Sequence, residues 1–282
     1  MGSNARSGPV AIALARRAAI VALAGAALAS SLDAARAATL SPWAAGEHSA
    51  VRLIAGPPAN GTHAAGLEIR LDRGWQTYWK APGESGAPPA FDWSTSDNVA
   101  AVRVAYPVPQ RFADADGVTF GYRDDVILPL AVTPKDPRRP ALLAGTVRYA
   151  VCGKVCIPVE GKVRLDLDPH ETPDAFAAAK LEGFAGRVPQ AAKVGDAGPL
   201  AVKAVRLERA GGKLALIAET AAPAEDATLF AAGAGVGVPV RAGPGRWRMP
   251  LEQATGEADL VLADANAAIS VPVALDEIAT SP

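Results

Sequence analysis

The sequence contains very little cysteine. Cys152 and Cys156 are the only two cysteines among 282 residues. Two cysteines cannot build the disulfide framework of a small secreted scaffold or a four-cysteine zinc site. The three histidines, His48, His63 and His170, are remote from the pair in sequence and do not complete a ligand set. We therefore predict no metal and no cofactor, and any cysteine chemistry must come from this one pair.

An excess of one charge is also missing. The 28 lysine and arginine residues are balanced by 29 aspartate and glutamate residues, for a net charge of −1. Without a broad basic face, nucleic acid is not an expected partner. No segment after the N-terminus approaches the roughly 20 apolar residues that span a bilayer, so no membrane insertion of the mature chain is expected. The hydrophobic fraction of 50% excludes wholesale disorder.

Residues 1–37 have the order of a secretory signal peptide. Three arginines precede a 12-residue apolar run at 18–29, and the segment ends in Ala35-Arg36-Ala37, which suits cleavage before Ala38. An uncleaved anchor is the alternative, and the short run disfavours it. Cleavage removes four arginines and one aspartate, leaving 24 basic and 28 acidic residues and a net charge of −4. We predict a periplasmic protein, whose cysteines meet an oxidising compartment.

Short apolar or alternating segments fill the chain from Glu47 to Asp168, and turn-forming residues separate them. Examples are 51–54, 67–71, 102–104 and 126–132. Period-two alternation with frequent turns is typical of an antiparallel β-sandwich. A second β-rich block runs from Leu200 to about Leu275, with candidate strands at 202–207, 213–219, 259–262 and 268–273. The sequence therefore predicts a mostly β fold.

One helix is predicted between the two blocks. Thr172 suits the N-cap position, with Pro173 as the first helical residue, and Gly186 and Pro189 would end the helix. The apolar stripe of this helix consists of Phe176, Ala177, Lys180, Leu181 and Phe184. The predicted organisation is a signal peptide at 1–37, a β-sandwich at 38–169, a helical linker at 170–198 and a smaller β domain at 199–282. One continuous β domain with a helical insertion is the alternative.

The cysteine pair has the spacing of a hairpin tip. Cys152 and Cys156 enclose three residues, one of them glycine, between two apolar segments. Three-residue loops are common in β-hairpins and would place the cysteines opposite each other on adjacent strands. Facing residues have Cα atoms about 4.5–5.5 Å apart, a separation that a disulfide can bridge. The spacing therefore permits a bond that opens and closes without unfolding.

Redox activity, a structural disulfide and metal binding are the three roles open to this pair. In the chain-entropy model a five-residue loop contributes only about 2 kcal/mol, against nearly 5 kcal/mol for a loop of about 100 residues. A bond at a hairpin tip is open to an attacking thiolate, and Lys154 between the cysteines would modestly favour the thiolate form. These considerations favour redox activity over a structural disulfide, and either over metal binding.

Several motifs in order make the chain recognisable. They lie at 74–79 (GWQTYW), 82–89 (PGESGAPP), 91–93 (FDW), 106–112 (YPVPQRF), 121–122 (GY) and around the cysteines at 149–152 (YAVC) and 156–158 (CIP). Together they cover about residues 47 to 168. This region resembles the N-terminal domain of the thiol:disulfide interchange protein DsbD and of the related ScsB-type reductases, particularly the stand-alone secreted versions.

The resemblance implies that the predicted β-sandwich is immunoglobulin-like; in the organisation predicted from the residue patterns, the linker helix and the second β domain follow it. It implies that Cys152 and Cys156 are the catalytic pair, cycling between dithiol and disulfide through a mixed disulfide, with Cys156 as the attacking cysteine by analogy. The implied electron donor is a thioredoxin-like protein or a membrane thiol reductase, and the implied acceptors are periplasmic disulfide-containing proteins. The chain would then be a component of a protein-disulfide reductase system.

Two departures from the family stand out. Some members shield the sulfurs with adjacent aromatics just before the glycine that corresponds to Gly117, whereas residues 113–116 contain none. Phe112 and Phe120 are the candidates to replace them. The membrane electron-carrier segment and the C-terminal thioredoxin-like domain of the family are not found in this sequence, so a separate reductant is expected. The motifs leave residues 200–282 unexplained.

Two further clusters have competing interpretations. The aromatic residues Trp75, Tyr78, Trp79 and Trp93 are interpreted as packing residues of the sandwich, and a platform for a sugar ring is the alternative. The acidic residues Asp114, Asp116, Asp124 and Asp125 lack the spacing of an EF-hand loop, so solvated turns are favoured over a calcium site.

The leading hypothesis is a periplasmic thiol–disulfide exchange protein that relays electrons through a reversible Cys152–Cys156 disulfide. The alternative is a non-enzymatic interaction or ligand-binding β-sandwich module whose disulfide is structural.

Overall fold

The computed structural model describes residues 39–59, 61–115, 117–222, 226–278 and 280–281. The predicted signal peptide at 1–37 lies outside this part of the chain. Strands dominate the described residues, which confirms the predicted mostly β fold. In the same residues, no helix has both the length and the apolar character that crossing a membrane requires.

Two sheets form an antiparallel sandwich, here called the N-terminal sandwich. One sheet has the order β1-β2-β3-β9-β6, and the other has the order β11-β10-β4-β8-β7 with β5 paired to β10. Apolar side chains of both sheets, such as Leu53 and Leu67 from one and Leu143 and Val147 from the other, meet in one core. The strands are β1 (Ala44–Gly46), β2 (Ser49–Ala59), β3 (Thr62–Leu71), β4 (Gln76–Gly83), β5 (Ala90–Asp92), β6 (Val99–Val104), β7 (Gln110–Asp114), β8 (Gly117–Tyr122), β9 (Val126–Pro134), β10 (Ala141–Cys152) and β11 (Cys156–Leu167).

Strands β12 to β20 form two further sheets, here called the C-terminal β unit. Their orders are β12-β19-β18-β15 and β16-β17-β14-β13-β20. Side chains such as Leu216 and Trp247 from one sheet and Leu260 and Val271 from the other share a second core. The strands are β12 (Gln190–Ala191), β13 (Ala201–Ala210), β14 (Lys213–Ala221), β15 (Thr228–Ala232), β16 (Val240–Gly243), β17 (Arg246–Leu251), β18 (Glu257–Ala263), β19 (Ala268–Ala274) and β20 (Thr280–Ser281), with a 3₁₀ turn at Leu275–Glu277.

The two parts of the fold are in contact. Phe230, Val238, Val261 and Ala263 of the C-terminal β unit pack into the core of the N-terminal sandwich. Residues 38–282 accordingly form one compact unit. The boundaries proposed at 169 and 199 remain predictions.

The predicted helix is present as α1 (Ala175–Ala185), but it begins later than predicted. Asp174, not Thr172, is the N-cap, because its carboxylate accepts hydrogen bonds from the backbone N–H groups of Phe176 and Ala177, both at 3.0 Å. Pro173 therefore precedes the cap and is not the first helical residue. Gly186 caps the C-terminus as predicted, with its N–H donating to Glu182 O.

The buried face of α1 is narrower than the predicted stripe. Ala177 and Leu181 are buried, whereas Phe176 is 79% exposed. Leu181 fits over two glycines of the sheet, since a Cβ at Gly56 or Gly66 would lie 2.6 or 2.9 Å from its methyl groups.

An ion-pair network adds a polar anchor for α1. Glu68 of β3 is only 1% exposed and accepts hydrogen bonds from Arg52 Nε, at 2.6 Å, and from Lys180 of α1. A buried carboxylate is costly unless it is paired. Arg52 and Lys180 together neutralise the charge of Glu68, and the contact of Lys180 anchors the helix to β3.

We expect Leu181→Ala to lower the free energy of unfolding by about 2–5 kcal/mol, because it leaves a cavity above Gly56 and Gly66. The matched control is Phe176→Ala on the same helix, which should change the stability by less than about 0.5 kcal/mol since that ring faces solvent. Urea unfolding followed by circular dichroism measures both. Equal effects of the two variants would contradict the described seating of α1.

Burial raises the pKa of all four tyrosines. It raises the pKa of Tyr106 to about 12 and that of Tyr122 well above its usual range, and it also raises the pKa values of Tyr78 and Tyr149. The folded state thus keeps these protons to higher pH than the unfolded state does. The resulting stabilisation is complete below pH 10 and is lost as the pH rises through the folded-state pKa values.

The free energy of unfolding should therefore fall between pH 10 and pH 12. Urea unfolding at pH 8 and pH 11 measures this loss. Tyr122→Phe is the matched control: it is expected to lower the stability at pH 8, because the hydrogen bond from the hydroxyl to Pro107 O at 2.8 Å is gone. Between pH 8 and pH 11, the free energy of unfolding of this variant should fall by less than that of the unmodified protein. An equal fall would show that Tyr122 does not contribute to the pH dependence.

Candidate redox-active cysteine site

The cysteines lie at the tip of a long β-hairpin. Strand β10 ends at Cys152, β11 begins at Cys156, and the two residues face each other in the antiparallel register, with Cα atoms 4.1 Å apart. They are joined as a disulfide. The N–H of Gly153 donates to Val155 O at 3.1 Å and closes the loop. The hairpin with a three-residue loop, predicted from the spacing, is confirmed.

The two cysteines differ in their exposure to solvent. Cys152 is buried, at 5% exposure, whereas Cys156 is exposed. Lys154 and Val155 in the loop are also exposed, Val155 to 63%. A protein approaching the tip therefore meets Cys156 first.

Tyr78 of β4 is the aromatic residue in contact with the sulfurs. Its hydroxyl lies 2.9 Å from Cys152 Sγ and 3.3 Å from Cys156 Sγ. Disulfide sulfurs carry no hydrogen, so the tyrosine O–H is the donor. Pairing of β4 with β10, which sets Gln76 opposite Cys152, brings the tyrosine to this place. In the sequence Tyr78 was one of four candidate packing residues, and no local pattern distinguished its role.

Asp114, at the end of β7, adds a negative charge near this phenol. Burial raises the pKa of Tyr78, and the charge of Asp114 raises it further. Both effects keep the hydroxyl protonated, and hence a donor, at neutral pH. The predicted acidic cluster thus contributes one residue to the site.

Asp125 of the acidic cluster has a different contact. Asp125 accepts a hydrogen bond from the N–H of Leu71 at 3.1 Å, as a turn residue does, and Asp116 lies outside the described residues. Within the described part of the chain, no three His, Cys, Asp or Glu side chains are grouped so that they could hold a metal ion.

The start of β8 is tied to the end of β4 by Glu84. The Glu84 carboxylate accepts a hydrogen bond from Val118 N at 2.6 Å, and Glu84 N donates to Val118 O at 2.9 Å. Gly117 has φ +118°, and a Cβ there would lie 2.5 Å from the Glu84 carboxylate, so glycine is required. This link fixes the β7–β8 hairpin relative to the strand that carries Tyr78.

The two phenylalanines considered as shields have other positions. Phe120 is 1% exposed and packs edge-on against Trp79 in the core. Phe112 lies under the guanidinium group of Arg123, 4.5 Å from it. The interpretation of Phe120 as a shield is therefore wrong, because its ring fills the sandwich interior.

Trp75 supports the loop that joins the cysteines. A Cβ at Gly153 would lie 3.1–3.3 Å from three atoms of the Trp75 ring, so the loop rests closely on the indole. His48 stacks on the same ring, with centroids 3.9 Å apart, and its Nδ1 lies 3.1 Å from an oxygen of Asp72. Trp75 thus has a local role in packing the hairpin tip.

Part of the chain matches a known protein family. Residues 45–168 match the family described as the N-terminal part of the thiol:disulfide interchange protein DsbD. No curated protein sequence matches the chain.

Among solved structures, the chain is similar to the N-terminal periplasmic domain of ScsB from Proteus mirabilis. The two are 22% identical with a TM-score of 0.66, over 86% of this chain and 100% of that one. InvD from Yersinia pseudotuberculosis is 9% identical over 77% of this chain and 54% of that one, with a TM-score of 0.16 that is too low to indicate a shared fold. The resemblance predicted from the motifs is confirmed: residues 45–168 match the DsbD N-terminal family, within a chain that has the fold of the ScsB periplasmic domain.

Proposed function

We propose that this protein relays electrons in the periplasm through the reversible Cys152–Cys156 disulfide. A thioredoxin-like protein or a membrane thiol reductase supplies the electrons, and disulfide-containing proteins of the periplasm accept them. The observation that carries the proposal is a disulfide at a hairpin tip, with one exposed cysteine, inside a segment that matches the DsbD N-terminal family. The signal-like residues 1–37 support the location.

In this proposal the bond opens and closes while the surrounding hairpin keeps its pairing. Strands β10 and β11 are paired continuously from Ala141 opposite Leu167 to Cys152 opposite Cys156. This ladder keeps the cysteines opposite each other when the bond is open. The bond itself closes so short a loop that its stabilisation of the fold is only about 2 kcal/mol. Opening it therefore costs little and leaves the sulfurs in place.

The exposure of the two cysteines assigns their roles in this proposal. In the reduced protein, the Cys156 thiolate attacks the disulfide of the acceptor, forms a mixed disulfide and releases one acceptor thiolate. The Cys152 thiolate then attacks Cys156 Sγ, which restores the Cys152–Cys156 disulfide and releases the second acceptor thiolate. Two electrons pass to the acceptor in each cycle, and a donor dithiol returns the pair to the reduced state.

Tyr78 is placed to assist the thiolate. A hydrogen bond to a charged acceptor is stronger than one to a neutral acceptor, so the tyrosine O–H stabilises a thiolate more than a thiol. Its raised pKa keeps that proton on the tyrosine at neutral pH. The side chain therefore favours the nucleophilic form of the cysteine that it contacts.

Tyr78→Phe should slow alkylation of the reduced protein by iodoacetamide at pH 7 about tenfold, the factor that ~1.4 kcal/mol of thiolate stabilisation represents. Tyr149→Phe is the matched control. Tyr149 lies on β10, the same strand as Cys152, and its buried hydroxyl contacts the hydroxyl of Ser49 at 2.8 Å. The control should react at the original rate. An unchanged rate in Tyr78→Phe would exclude this role for the hydroxyl.

The relay itself is tested by incubating the oxidised protein with reduced thioredoxin and then quenching with an alkylating reagent. Mass spectrometry should find both cysteines modified. With a disulfide-containing acceptor, the reduced Cys152→Ser variant should accumulate a mixed disulfide at Cys156, and Cys156→Ser should accumulate much less. If dithiothreitol reduces the bond but thioredoxin does not, and a double Cys→Ser variant keeps its partner, the disulfide is structural and the relay is wrong.

A further inference from the structure

Strand β4 links the redox site to the C-terminal β unit through three successive residues. Tyr78 contacts both sulfurs, Trp79 packs against Phe230 of β15, and Lys80 forms an ion pair with Asp259 of β18. Residues 200–282 were unexplained by the sequence motifs. Through these contacts, the side chains of Phe230 and Asp259 reach the strand that carries Tyr78.

The backbone of β4 is irregular at this point. Tyr78 is paired with Gly121 of β8, and the next ladder pair is Gly83 with Thr119, so the register shifts between them. Four residues of β4 thus stand opposite a single residue of β8, as in an extended bulge. Bulges redirect side chains and weaken the local ladder. Tyr78 is the last residue paired before the bulge, so contacts other than the ladder with β8 must hold residues 79–82 that follow it.

An aromatic cluster holds the first residue of the bulge. Trp79 is 1% exposed, and its ring lies edge-on to Phe230 at 6.1 Å and to Phe120 at 6.4 Å. Phe230 and Phe120 are themselves 5.1 Å apart, edge to face. The indole N–H of Trp79 has no hydrogen-bond partner among the described residues, so ring packing is what holds this side chain.

An ion pair holds the second residue. Lys80 Nζ contacts one carboxylate oxygen of Asp259, and the other oxygen accepts a hydrogen bond from Ser270 Oγ of β19 at 2.5 Å. Asp259 is therefore also held in place by a residue of the C-terminal β unit, Ser270. The Lys80 ammonium also lies 5.1 Å from the centroid of the Trp79 ring, which joins the two anchors.

The bulge has room to move when these anchors are lost. A cavity of about 400 Å³ separates residues 80–83 from residues 236–238 of the C-terminal β unit. Backbone packing does not fill this space. From the C-terminal β unit, the side chains of Phe230 and Asp259 restrain the bulge.

We propose that the C-terminal β unit sets the reactivity of the cysteine pair, with Phe230 and Asp259 as positioning residues that act through Trp79, Lys80 and Tyr78. Neither side chain needs to touch the sulfurs. By fixing the bulge in β4, they keep the Tyr78 hydroxyl within hydrogen-bonding distance of Cys152 and Cys156. This inference deepens the proposed exchange function and rests on it.

The experiment measures alkylation of the reduced protein and its redox equilibrium with glutathione, in the full chain after residue 37. Phe230→Leu and Asp259→Asn are each expected to slow alkylation about three- to tenfold, and to shift the glutathione equilibrium in the same direction as Tyr78→Phe does. In a Tyr78→Phe background, both substitutions should have almost no further effect, because the group that they position is gone.

Glu219→Gln is the matched control for Asp259→Asn. It also replaces a carboxylate of the C-terminal β unit by an amide. Glu219 of β14 forms its ion pair with Arg206 of β13. This control should leave both measurements unchanged. If Phe230→Leu does not fold, Asp259→Asn and Lys80→Gln carry the test, with cooperative thermal unfolding as the criterion of folding.

Two results would overturn the inference. Folded Phe230→Leu and Asp259→Asn variants with unchanged alkylation rates would show that the C-terminal β unit does not affect the pair. Equal slowing with and without the Tyr78 hydroxyl would show that any effect does not pass through that group. Alkylation and glutathione exchange need no protein partner, so failure of thioredoxin to reduce the disulfide would contradict the proposed relay alone.

Discussion

The register of the β10–β11 hairpin is the constraint on which the site depends. Side chains on a strand point alternately to opposite faces, so a slip of one residue would turn every core-facing side chain of one strand outward. Burial of Val159, Val163 and Leu165 on β11 resists that slip. The same register sets Cys152 opposite Cys156. Burial of apolar side chains farther along the hairpin thus helps to place the two sulfurs within bonding distance.

Local patterns were sufficient for the hairpin, because its determinants are close in sequence. A glycine-containing loop of three residues between two apolar segments specifies the turn, and the turn specifies which residues face each other. The start of α1 shows where local information ends. Thr172 and Asp174 are both residue types that suit an N-cap. Asp174 is the cap in the structure, and its own N–H donates a hydrogen bond to Thr39 Oγ1, 135 positions away in the chain. No window around residue 174 contains that contact.

The role of Tyr78 could not be predicted for the same reason, on a larger scale. Tyr78 and Cys152 are separated by 74 positions, and their contact requires β4 to pair with β10 in one register. The motif at 74–79 identified the region through its resemblance to the family, but it did not say which aromatic residue meets the sulfurs. The interpretation of these aromatics as packing residues is right for Trp79, which is in the core. It misses the contact that the preceding residue, Tyr78, makes with the sulfurs.

The chemistry of the pair follows from a balance between these long-range contacts. In the proposed exchange reaction the hydroxyl of Tyr78 favours a thiolate, and the nearby charge of Asp114 helps to raise the pKa of the same phenol. Glu84 ties Val118 of β8 to the end of β4, and β8 pairs with β7, the strand that ends at Asp114. Tyr78 and Asp114 are therefore held by one connected structure, and movement of that structure would change both influences together.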